Sequence, residues 1–241
     1  MNRKNLRSSG NSSGQSFVEL AIVLPILLFL LMGFVEVGAV IYSYLSMLDV
    51  VKEAARFASE HDPFVREYPV ADLPYSACKD KDANGSIVDY YYDTACVIIS
   101  EPGNDPLRWI PFNSDLILNP ATDDVTISVF TIVNNNVDKR WPNGFDAVWS
   151  VYGGNWTRNC DGTPKSSTPF IEDAHLGGTL SVPMTPAAPS AKGSVLVEIY
   201  YCHEQLLNLP ILNQLLPNPV PLHAFAIMPA PAAAPTPTFI P

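Results

Sequence analysis

The sequence predicts an α+β protein, with a long N-terminal transmembrane helix that continues into an outer domain made of a small antiparallel sheet and long loops. Three observations carry this. Residues 20–44 form a nearly unbroken apolar run, enough to span a bilayer core with some tilt. Segments 125–133, 194–202 and 222–228 read as strands, 125–133 most clearly because it alternates and is β-branched. The chain holds 23 prolines, clustering after residue 180, which argues for loops and an extended tail and against a helical bundle. Of the 241 residues, roughly 170 remain outside the membrane helix and the tail, enough for one domain with its own core.

The helix is the most informative element. A leader carrying Arg3, Lys4 and Arg7 ends at Gly14, and Gln15-Ser16-Phe17-Val18-Glu19 opens the apolar run. A carboxylate at the mouth of a membrane segment is costly and usually has a partner. The spacing fits a prepilin-type signal, in which cleavage after Gly14 frees an α-amine at Gln15 and leaves Glu19 to pair with such an amine. A cleaved secretory signal has a shorter apolar core with a small-x-small site after it. The cations of the leader place the N-terminus in the cytoplasm and the C-terminal domain outside.

Beyond the membrane, Tyr44, Leu48, Val51, Ala55 and Ala58 recur at steps of four and three, an apolar stripe. Asp62-Pro63 then stops the helix. A helix over 15–60 is roughly 70 Å long, and its second half is a platform for the outer domain. Pro25 should bend or loosen it. Glu36 lies between Gly33 and Gly38, which permit close helix approach. It reads either as a protonated or snorkelling carboxyl or as a helix–helix contact within an assembly. The organisation is a cytoplasmic leader (1–14), the transmembrane and extended helix (15–60), an extracytoplasmic domain (61–228) and a Pro-rich mobile tail (229–241).

Within the outer domain, 89–99 reads as a helix capped by Asp89, with Ala95, Ile98 and Ile99 inward. Segment 141–185 reads as an ordered surface loop with one strand near 147–152. Asp80, Asp82, Asn84 and Ser86, with Gly85 at the sixth position, match the start of an EF-hand-type calcium loop. Tyr91 stands where the twelfth-position glutamate belongs, so Asp89 or Asp93 would supply the last oxygen. The competing reading is a tight turn at Asn84-Gly85. Calcium is the one cofactor the sequence suggests.

All four cysteines, Cys78, Cys96, Cys160 and Cys202, follow the membrane segment, which favours two disulfides. Their spacing leaves three pairings open. The expected pairs are Cys78 with Cys96, which bracket the acidic loop, and Cys160 with Cys202. Trp141, Trp149, Tyr152 and Trp156 either pack locally or line a sugar-binding face. The four histidines are scattered, and no nucleophile elbow, P-loop or zincin pattern occurs. A net charge of −10 argues against nucleic acid as a partner.

The run Gly14-Gln15-Ser16-Phe17-Val18-Glu19-Leu20-Ala21, Leu24-Pro25, Gly33-Phe34-Val35-Glu36-Val37-Gly38 and Ala54-Ala55-Arg56-Phe57-Ala58 closely resembles the TadE-like family, pseudopilin-like components of the tight-adherence (Flp) pilus system. The resemblance implies a minor structural or assembly component, not an enzyme, in the cell membrane or in a surface pilus. Its partners would be other pilins or pseudopilins, inner-membrane pilus assembly proteins, a prepilin peptidase and membrane lipid. Glu19-Leu20, where major pilins of this system tend to have Glu-Tyr, and the large outer domain both point away from a filament-forming subunit. The alternative is a membrane-anchored surface domain that binds a ligand through calcium or carbohydrate recognition.

Overall fold

A computed structural model describes residues 13–64, 90–99, 116–133, 136–142, 148–165, 191–208 and 216–233. Helix α1 (Ser13–Glu60) runs 48 residues and passes through Pro25 without interruption. From 17 to 35 every side chain except the half-buried Gly33 is exposed. From Glu36 onward one face is covered, and Met47, Val50, Val51, Ala54, Ala55 and Ala58 are buried. The covered stripe is therefore rotated from the predicted one. Tyr44 is exposed, Leu48 is half-buried, and Met47, Val50 and Ala54 take their places. Small residues at 54, 55 and 58 let the helix axis lie close to the sheet.

The helix stops where Asp62-Pro63 predicts. His61 donates from Nδ1 to the Phe57 carbonyl at 2.7 Å, satisfying one of the last open carbonyls. The Asp62 carboxylate accepts the Phe64 amide at 2.9 Å, an Asx-type turn. Helix α2 (Tyr90–Cys96) packs beside this end, and its Tyr90 hydroxyl donates to the Ala58 carbonyl at 2.9 Å.

The sheet is wholly antiparallel. Strands β1 (Asp124–Val133), β2 (Asn136–Trp141), β4 (Ala191–His203) and β5 (Val220–Pro229) lie in the order β2-β1-β4-β5, with the short β3 (Trp149–Ser150) also pairing β1. Ile127 sits opposite Val197, and Val197 opposite Ala226. Alternation then gives the sheet two faces. Val125, Ile127, Val129, Val195, Val197, Ile199, Ala224 and Ala226 join the buried face of α1 in one core. Phe130 and Leu196 form a smaller cluster on the other side.

Three features extend the sequence reading. The helix at 15–60 is not separable from the domain that follows, since its second half supplies much of the core. Strand β2, with Asp138, Lys139 and Arg140 in it, carries no β-branched run and is recruited by hairpin pairing to β1. The residues after 228 are docked at first. The Ala230 amide donates to the Gly193 carbonyl at 2.9 Å, and the Thr131 hydroxyl donates to the Ala233 carbonyl at 2.8 Å. Residues 234–241 lie outside the described residues.

Candidate functional site on the long helix

The predicted processing motif sits at the start of α1. The helix begins at Ser13, so Gly14 and Gln15 fall in its first turn rather than in an extended strand. A glycine there makes unwinding of that turn easier, because glycine is a poor helix former. Glu19 and Pro25 are on the exposed stretch. Glu36 lies 17 residues beyond Glu19, about 25 Å along the axis, so the two carboxylates do not meet.

Glu36 has a different environment from either sequence reading. It is 2% exposed, and its partners belong to its own chain. Oε1 accepts the Leu206 amide at 2.7 Å and Oε2 accepts the Leu207 amide at 3.0 Å. These amides open the connection between β4 and β5. Two and three turns further along α1, Ser43 and Met47 continue the same face, and the Ser43 hydroxyl shares a hydrogen bond of 3.1 Å with His203 Nδ1 at the end of β4. The legs of the connection are tied together as well. The Gln205 amide donates to Asn218 Oδ1 at 3.3 Å, and Gln205 Nε2 donates to the Pro217 carbonyl at 3.3 Å. The acidic residue inside the apolar run thus clamps a distant loop. Two charge-assisted bonds from main-chain donors offset part of the penalty of burying a carboxylate. A sequence signal for this clamp existed only as two oddities, a lone Glu in an apolar helix and leucines at 206, 207 and 216 outside any strand.

A second polar cluster lies on the sheet face away from α1. Asp124 is fully buried and accepts the Val125, Tyr152 and Trp156 amides and the Ser150 hydroxyl at 2.8–3.2 Å. Beside it, Glu198 accepts from Tyr200 and His223 at 3.0 Å and from Thr126 at 3.2 Å. Asp123 accepts the Asn119 and Cys202 amides at 2.8 and 2.9 Å. Burial pushes the Asp123 and Asp124 carboxyls above their ordinary range against the pull of these hydrogen bonds. Burial also pushes the Lys165 ammonium down, opposed by the charges of Glu198 and Asp124. The Tyr200 phenol is driven up, first by burial and then by Glu198, so it stays a neutral donor. Lys165 donates to the Trp156 carbonyl at 2.9 Å and lies 4.6 Å from the Tyr200 ring centre. The cluster holds segment 148–165 onto the sheet, and the Cys160–Cys202 disulfide pins the same segment to β4.

The predicted aromatic group is divided between the two faces. Trp141 and Trp149 pack against the α1-side core, whereas Trp156 is buried near Tyr200 on the other side. They do not form one sugar-binding platform. The acidic loop, Asp80, Asp82, Asn84, Ser86 and Asp89, lies outside the described residues, and so does Cys78, the expected partner of Cys96. Among the described residues no group of three or more His, Cys, Asp or Glu side chains is arranged to hold a metal ion.

Phe17–Glu60 is long and apolar enough, by length and composition, to cross a membrane. Residues 14–56 match the TadE-like protein family. That match covers the predicted processing motif and most of α1 and none of the sheet. No curated protein and no solved structure matches the chain.

Proposed function

We propose that this chain is a minor pseudopilin-like structural or assembly component of a Tad (Flp-type) pilus or secretion apparatus, without enzymatic activity. The observation that carries the proposal is the family match over 14–56 falling on one continuous helix. The first half of that helix is bare on all sides, and the second half is the spine of a folded domain. A bare apolar half suits insertion among lipids and neighbouring helices. The domain holds it upright from the far side. In this reading the leader is cut after Gly14, the N-terminus faces the cytoplasm and the sheet lies outside. Other pilins or pseudopilins and inner-membrane assembly proteins are its partners.

Mass spectrometry of the mature protein tests the processing step. The expected first residue is Gln15, and Gly14→Leu should leave the leader attached. An intact Met1 in the wild type defeats the reading. With the leader gone, Glu19 and the new amine sit near one membrane face, where pairing between neighbouring chains offsets a desolvation penalty of several kcal/mol per ion. Glu19→Ala should spare membrane insertion and reduce co-purification with other pilus components. Unchanged co-purification and piliation would count against an assembly role.

A further inference from the structure

We infer that Leu206, Leu207 and Leu216, at the two ends of the connection between β4 and β5, form a membrane foot, seated in the acyl and headgroup boundary of the outer leaflet and held there by Glu36. The inference rests on the reading that α1 spans a bilayer, and it goes beyond the proposed pilus role. Three observations place the foot.

The first is depth. The stretch of α1 exposed on all sides, 17–35, is about 28 Å long, close to the ~30 Å of a hydrocarbon core. Glu36, the next residue, is the first that the domain covers. The Leu206 and Leu207 amides bound to Glu36 therefore sit at the outer edge of that core. Tyr42 and Tyr44, exposed about two turns further out, fall where interfacial tyrosines gather.

The second is what the connection presents. Leu206, Leu207 and Leu216 are 66%, 41% and 39% exposed. Leu206 is mostly uncovered, and Leu207 and Leu216 each leave about two fifths of their surface open. Among the described residues, Leu206 and Leu207 lie where the domain meets the end of the bare half of α1.

The third is backbone accounting. Irregular backbone at membrane depth is tolerated only when its donors and acceptors find partners within the protein. Glu36 satisfies the two amides. Gln205 satisfies the Pro217 carbonyl, and Asn218 accepts the Gln205 amide while its Nδ2 donates to Asn208 Oδ1 at 3.0 Å. A loop in water needs none of this, since water would serve each group. A loop end pressed into the acyl boundary has no water to serve these groups, although Gln205 Oε1 and His203 Nε2 beside it are buried with no hydrogen-bond partner. The placement also accounts for a carboxylate inside an apolar run, because the amides it serves are themselves out of reach of water.

The test uses the full chain in phosphatidylcholine vesicles, with the photoreactive residue benzoylphenylalanine placed singly at positions 28, 206 and 225. Position 28 lies within the bare stretch, and position 225 is an exposed site on β5. Mass spectrometry after illumination should find lipid adducts at 28 and 206 and none at 225. Adducts at 28 without adducts at 206 overturn the foot and leave the membrane helix standing. Adducts at 206 to a second protein chain in place of lipid overturn it as well, by naming a protein occupant. No lipid adduct at 28 removes the membrane-spanning premise, and the foot falls with it. Adding Glu36→Gln to the position-206 protein should lower its lipid adduct at least threefold while the position-28 adduct stays constant. An unchanged yield at 206 overturns the assignment of Glu36 as the holder of the foot.

Discussion

The sheet face turned toward α1 is built from valine, isoleucine and alanine, and its covering is a helix that begins in another environment altogether. The opposite face buries Asp124, Thr126, Ser128 and Glu198 alongside Phe130 and Leu196, and segment 148–165 from the same domain lies over part of it. Apolar contact is tolerant of small sliding motions, and it fits a helix that must also satisfy a bilayer. The polar face is directional. Asp124 alone receives bonds from β1, β3 and the turn at 155–157, so a shift of one residue in that segment would strand several donors. The contrast teaches that one face joins the domain to its anchor while the other fixes the internal register of the domain.

Removing the anchor should have the largest effect. A fragment beginning at residue 62 lacks the buried face of α1, leaving Val125, Ile127, Val197 and Ile199 uncovered. Size-exclusion chromatography and near-ultraviolet dichroism should show an aggregating fragment with no cooperative transition. A fragment beginning at Glu36, kept in mild detergent, should restore both. A monomeric, cooperatively melting 62–241 would break the comparison outright.

Ile127→Ala deletes a fully buried side chain on the apolar face and should cost about 2–5 kcal/mol in urea unfolding of the full chain. Opening the disulfide by Cys160→Ser with Cys202→Ser frees a loop whose ends are 42 residues apart and should cost about 2–4 kcal/mol. The loss should loosen segment 148–165 before the α1 side, readable by amide hydrogen exchange. Asp124→Asn keeps the shape but turns an amide group toward main-chain donors, an expected loss of about 1–3 kcal/mol. Equal protection of both faces in that variant would deny the polar face its separate role.

The smallest effect is that of pH. In the fold, Asp123 and Asp124 hold their protons above the unfolded value of 3.8, so the folded state binds more protons than the unfolded one in that window. These two groups therefore make the fold more stable as pH falls from neutral through their raised folded values, with the gain complete below 3.8. Asp123→Asn with Asp124→Asn should flatten that gain in denaturation midpoints taken between pH 7 and 4.

Much of this architecture is readable from residues alone, for identifiable reasons. The apolar run with Gly14, Glu19, Pro25 and Glu36 fixes α1, and the β-branched alternation at 125–133 and the run at 194–202 mark β1 and β4. Strand β2 escapes because its charged residues are favourable only once β1 lies beside it. The partner of Glu36 escapes because Leu206 is 170 residues away, and no local pattern encodes a contact at that distance. The buried polar face escapes for a subtler reason. Alternation in β1 reads the same whether Asp124 and Thr126 face water or lie under another segment.

The helix that completes the core also has a consequence for the order of synthesis. The stretch 47–58 leaves the ribosome first, while β5, which packs against it, ends at Pro229. At about 5–20 residues per second, the partner strand arrives roughly ten to thirty seconds later. For that interval the apolar side of the helix has no sheet to cover it, and the contacts that close the core span most of the chain, a slow topology. Synthesis and folding are thus coupled in time. Whatever shelters the outer half of the helix during that wait determines how much of the chain matures.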